Sequence, residues 1–153
     1  MDIYFGAGNG DISAPATQTI EVQESPYDIV VTDLNGDGRL DIASCNSFPN
    51  NFVTVLIGNG NGTFQPAQTY PSARSFDLAN LSGITAGDID NDNDIDIMVG
   101  HNASNSVSVY FNNGDATFFD YRMRYGMYYG VTSPFFADSV SYTHLTLPTT
   151  PYV

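Results

Sequence analysis

Apolar positions in this chain fall in short runs that alternate with clusters of Gly, Asn, Asp and Pro. Runs of this kind, rich in Ile, Val, Phe and Tyr, predict β-strands. The first set comprises Tyr27–Thr32, Leu40–Cys45, Phe52–Ile57 and Thr63–Tyr70. A second set follows at Gly83–Gly87, Ile95–Gly100, Ser106–Phe111 and Ala116–Arg122. No stretch carries the apolar period and caps of an amphipathic helix. No apolar run approaches the length needed for a membrane-spanning helix.

The two sets are copies of one another. Placing Asp33 on Asp88, a shift of 55, aligns TDLNGDGRLDIASCN with GDIDNDNDIDIMVGH. Further on, VLIGNGNGTF matches VYFNNGDATF at a shift of 54, and IYFGAGNGDIS near the start resembles the same element. A sandwich also has short strands, but they do not recur at a fixed period. Four strands per repeat predict the blades of a β-propeller. The expected fold is therefore all-β, about two and a half four-stranded antiparallel blades. Residues 1–26 read as the end of a truncated blade and 27–81 as a complete one. Residues 82–138 read as a second blade running into a truncated third. The segment 139–153 contains VSYTHLTLPTT, which looks like a translated sequencing-library adapter, and is read as a non-native tail.

Charge narrows the picture. The chain has 17 acidic residues against four Arg and no Lys, a formal net charge of −13. Nucleic acid and anionic lipid both need a basic footprint, so neither is an expected partner. Eight of the acids lie within Asp33–Asp41 and Asp88–Asp96. A solvated acidic face would not need that clustering.

The spacing inside the clusters carries chemistry. Asp33, Asn35, Asp37 and Asp41 occupy positions 1, 3, 5 and 9 of the first loop, and Asp88, Asp90, Asp92 and Asp96 those of the second. Oxygen donors at alternate positions, with a main-chain carbonyl at position 7, here Arg39 or Asp94, are how a short loop surrounds calcium. Position 6 must turn sharply, and Gly38 or Asn93 can adopt a left-handed conformation there. Two carboxylates about 5 Å apart repel by roughly 3 kcal/mol at an effective dielectric near 20. A divalent cation turns that repulsion into closure. Two Ca²⁺ sites are expected. An EF-hand needs a bidentate Glu at position 12 and a following helix; Ser44 or Val99 and a strand stand there instead. Zinc lacks His and Cys donors in these loops, and magnesium prefers fewer protein ligands.

The motif DxNGDGxxD, an apolar strand and then GNGNGTF resembles the FG-GAP/VCBS repeats of integrin α-chain propellers and of many secreted proteins. The resemblance extends over residues 1 to about 138. It implies that each repeat is one blade and that calcium sits in the hairpin loop between a blade's first two strands. Two departures stand out: Asn93 replaces the usual Gly, and Asn112–Asn113 takes the place of Gly58–Asn59.

Other features are expected to be structural. Cys45, the single cysteine, is expected as a small buried hydrophobe, and His101 at a loop edge. GNGNG lacks the Lys and strand-to-helix context of a phosphate loop and reads as a hairpin turn. The aromatic segment RMRYGMYYG at 122–130 reads as strand core. Asn61, Asn80 and Asn102 head glycosylation sequons. The functional expectation is an extracellular or cell-surface, calcium-stabilised binding or adhesion module for a protein or glycan, not an enzyme, with further blades of the same protein as neighbours. The alternatives are the propeller portion of a secreted polysaccharide-degrading enzyme, or a structural spacer.

Overall fold

The computed structural model describes residues 2–3, 18–22, 25–47, 51–72 and 81–119, and these are all-β with no helix. Two short strands, β1 (Asp2–Ile3) and β2 (Gln18–Thr19), pair antiparallel. A four-stranded sheet follows: β3 (Pro26–Thr32), β4 (Asp41–Asn46), β5 (Phe52–Leu56) and β6 (Gln68–Pro71). The second has β7 (Leu81–Gly87), β8 (Asp96–His101), β9 (Ser106–Asn112) and β10 (Phe118–Phe119). Both are antiparallel meanders in chain order, the arrangement of propeller blades.

The repeat extends to irregularities. The β3–β4 ladder is bulged between Pro26 and Asp28, and the β7–β8 ladder between Leu81 and Gly83, one repeat apart. The strands match the expected ones except at the fourth of the first sheet. Instead of a continuous Thr63–Tyr70, Phe64 makes an isolated bridge to Gly58, and β6 begins at Gln68. Pro66 falls between them and has no N–H to give a ladder. Of the expected last strand, residues 118–119 form β10; residues 120–122, the 122–130 aromatic segment, Asn80 and the 139–153 tail lie outside the described residues.

The two sheets pack face to face. Register places Val30, Ala43 and Val55 in one row of the first sheet, beside Asp28, Cys45, Val53 and Tyr70. The second sheet presents Ile84 and Val99 and, in the next row, Ile97 and Tyr110. The apolar side chains of these rows form one cluster with Leu34, Leu81, Ala116 and Phe118, with Val30 and Tyr70 half-buried against it. Tyr70 meets Phe118 edge-on with ring centroids 5.4 Å apart, a favourable aromatic geometry. Polar contacts join the sheets too: the Ile84 amide donates to Asp28 Oδ2 at 3.2 Å, and the Tyr110 hydroxyl to the Pro71 carbonyl at 3.2 Å.

The opposite face of β3 differs. Ile29 is 51% exposed, whereas Ile84, its counterpart one repeat later, is 7% exposed. Ile84 is covered by the first sheet. The row of Ile29 and Val31 has no equivalent cover among the described residues. Deeper on that face, Asn46 Oδ1 accepts from Ser44 Oγ at 3.2 Å and Thr54 Oγ1 at 3.1 Å. In the second sheet His101 and Ser108 take the places of Asn46 and Thr54. His101 is buried rather than at an exposed loop edge, with Nε2 2.7 Å from Ser108 Oγ.

Candidate functional site

Both aspartate loops join the first two strands of their sheets, β3 to β4 and β7 to β8. Local hydrogen bonds shape them. In the first loop the Asp33 carboxylate accepts the amides of Asp37 at 3.2 Å and Gly38 at 2.7 Å. In the second, Asp88 accepts those of Asn91 at 2.7 Å, Asp92 at 3.2 Å and Asn93 at 3.0 Å. Position 1 thus gathers the loop around itself in both repeats. The turns need left-handed backbone at positions 4 and 6: φ is 70° at Gly36 and 80° at Gly38, against 65° at Asn91 and 74° at Asn93. Asn is among the few side-chain-bearing residues that accept this conformation readily, so the loop survives without glycine.

Position 9 closes the loop on the rest of the sheet. Asp41 is fully buried, and its two oxygens accept the amides of Leu34 at 2.9 Å and Gly58 at 2.7 Å. Asp96, also fully buried, accepts those of Ile89 at 2.8 Å and Asn112 at 2.9 Å. Each carboxylate ties its loop to the end of the blade's third strand. Two charge-assisted bonds compensate much of the cost of burying the charge.

The loops differ in how their acids gather. Carboxylate oxygens of Asp88, Asp90 and Asp96 lie within 4.8 Å of one another, and no second set of three acids does so among the described residues. Desolvation, then repulsion from Asp92 and Asp88, pushes the Asp90 carboxyl above its ordinary range. Burial raises that of Asp96, with Asp90 and Asp92 adding to it against the two amides it accepts. In the first loop the Arg39 guanidinium pairs with Asp37 at 2.6 Å, and Asn35 Nδ2 donates to the same oxygen at 2.9 Å. Desolvation works against it, but the Asn35 amide and the Arg39 N–H and guanidinium hold the Asp37 carboxyl below its usual range. One loop concentrates unbalanced negative charge; the other partly neutralises its own.

Position 7 is placed by the neighbouring turn. Arg39 Nε donates to the Gly58 carbonyl at 3.3 Å, and its side chain lies where a Cβ on Gly60 would sit, 2.5 Å from that point. The Asp94 carboxylate covers Gly114 in the same way, 2.7 Å from the corresponding point. Those turns are hairpins, as the sequence predicts: the Asn59 amide donates to the Thr63 carbonyl, and Asn113 to Thr117, both at 2.9 Å.

With this geometry in place, residues 33–99 match the family described as FG-GAP-like repeat. The chain carries an FG-GAP-like repeat. The match opens at position 1 of the first loop and ends within β8, so it takes in both aspartate loops. No curated protein and no solved structure matches the chain. Within the FG-GAP-like repeat, motif reading identifies the acids but not the buried partners that hold them, Asn112 above all. Its substitution for Gly58 is visible in the alignment of the two copies; its contacts are not.

Proposed function

We propose that this chain is a non-catalytic, calcium-stabilised β-propeller repeat module that works outside the cell or at its surface and presents its loops to a protein or glycan ligand. The observation that carries the reading is the convergence of Asp88, Asp90 and Asp96 within 4.8 Å. Carboxylates that close together in a loop already shaped by its own backbone favour a hard divalent cation, and the absence of His or Cys among them favours calcium over zinc. Asp88, Asp90, Asp92 and Asp96 with the Asp94 carbonyl would hold one ion. Asp33, Asn35, Asp37 and Asp41 with the Arg39 carbonyl would hold a second. The first set has one carboxylate fewer and an internal cation in Arg39, so it is the weaker of the two.

The ion's contribution is structural. It supplies positive charge where Asp90 and Asp96 otherwise repel, and so fixes the hairpin joining a blade's first two strands. The Ile29 and Val31 face of β3 supports a further role for the repeat, since Ile84 and its neighbours show how an adjoining four-stranded sheet of the same protein would cover it.

Calorimetric titration of the full chain with calcium chloride, repeated on Asp90→Asn, tests the cation. Uptake that weakens at least about tenfold in the variant supports it; no uptake by the wild type sinks it. A glycan array probed with and without chelator tests the ligand class.

A further inference from the structure

We propose that Asn112 couples the two aspartate loops, so that the order of one sets the order of the other. This rests on the reading of both loops as cation sites.

Asn112 ends β9, 5% exposed, and every polar atom of its side chain is engaged. Its Oδ1 accepts the amides of Gly114 and Ala116, both at 3.0 Å, which fixes the orientation of the carboxamide. Its Nδ2 donates to two carbonyls, that of Ile95 at 2.9 Å and that of Leu34 at 2.6 Å. Ile95 is position 8 of the second loop and Leu34 is position 2 of the first. One side chain therefore bridges loops in different blades, across 78 residues of sequence.

The bridge continues on both sides. The backbone amide of Asn112 donates to Asp96, a carboxylate of the second acid cluster. The Leu34 amide donates to Asp41, position 9 of the first loop. Asp96, Asn112, Leu34 and Asp41 form an unbroken chain of hydrogen bonds, and all four residues are buried. Within this low-dielectric path a bond lost at one end leaves a buried group without its partner, so the members hold or release together.

The equivalent position in the first repeat cannot do this. It is Gly58, where an added Cβ would lie 2.1 Å from the Leu40 carbonyl oxygen. Gly58 keeps the backbone bond to Asp41 but offers no side chain to a neighbouring blade. Asn112 is thus a positioning residue at the junction of these two blades, and the difference between the copies is the reason one loop reaches the other.

The test uses the full chain as wild type, Asn112→Gly, which installs the residue found at position 58, and Asn112→Asp, which keeps the shape but removes the donor. Without metal, amide exchange at Leu34, Asp37 and Gly38 is expected to quicken about tenfold in both variants, the scale of one net hydrogen bond. Unchanged exchange there would overturn the positioning role. With calcium chloride, a double-mutant cycle pairs Asn112→Gly with Asp90→Asn and reads the affinity of the first loop. Disabling the second loop is expected to weaken the first about fivefold or more in the wild-type background, and not at all in Asn112→Gly. Additive effects would overturn the coupling. If the wild type takes up no calcium, the cation reading fails and the coupling of sites with it. The metal-free exchange then still decides whether Asn112 orders the first loop.

Discussion

The carboxylate of Asp41 and the backbone amide of Gly58 meet at 2.7 Å, and the bond spans 17 residues to lock the first aspartate loop onto the turn after β5. Asp96 and Asn112 repeat it one blade later at 2.9 Å. Position 9 of each loop is thereby a structural acceptor for two backbone amides, whatever else its carboxylate does.

Asp41→Ala should leave two buried N–H groups without an acceptor, and Asp96→Ala one buried and one half-buried. At roughly 1–3 kcal/mol per group, each variant is expected to lose about 2–6 kcal/mol. Asp37→Ala, which removes an exposed acid at position 5, should shift the unfolding midpoint far less. Urea unfolding of the three variants checks the order. An Asp41→Ala midpoint equal to that of Asp37→Ala would refute it.

Glycine substitutions separate two kinds of constraint. At Gly36 nothing lies within 4 Å of an added Cβ, but φ is 70°, so Gly36→Ala should cost about 1–2 kcal/mol of backbone strain. Gly58→Ala drives a methyl into a backbone oxygen and should cost more. Equal unfolding free energies for the two variants would contradict this.

Ile29 and Ile84 occupy the same position in successive repeats, with opposite burial. Ile84→Ala should destabilise by about 2–4 kcal/mol. Ile29→Ala should cost under about 1 kcal/mol while its face is open. Thermal melts of the paired variants measure the contrast. A comparable loss at both positions would mean that another sheet covers β3 in solution.

Cys45 has no exposed surface, and burial raises its thiol from 9.0 to about 11. The folded state holds the proton more tightly than the unfolded chain does. The neutral thiol's contribution to stability is therefore intact below pH 9 and is lost as pH climbs toward about 11. At pH 8 the native protein should resist a thiol-alkylating reagent, and reaction should follow unfolding in denaturant. Rapid labelling without denaturant would contradict the burial.

Much of the aspartate-loop chemistry is local, and the loops were legible for that reason. Alternating Asp and Asn along a tight turn impose their own hydrogen bonds, as Asp33 and Asp88 do with amides three to five residues on. The left-handed turns at Gly38 and Asn93 follow from the same local sterics. Cys45 sits in the core, where its apolar strand places it. The interruption before β6 was legible in principle, since Pro66 cannot join a ladder.

What the sequence alone determined about this protein is the short-range part: strand periodicity, the repeat near 55 residues, and the acid spacing that shapes each loop. Tertiary structure decided the rest. Asn112 finds Leu34 across 78 residues, and His101 is buried against Ser108 rather than at an exposed loop edge. These outcomes depend on which blade packs on which, and a hydrogen bond or a buried charge reports its surroundings in space, not its neighbours along the chain.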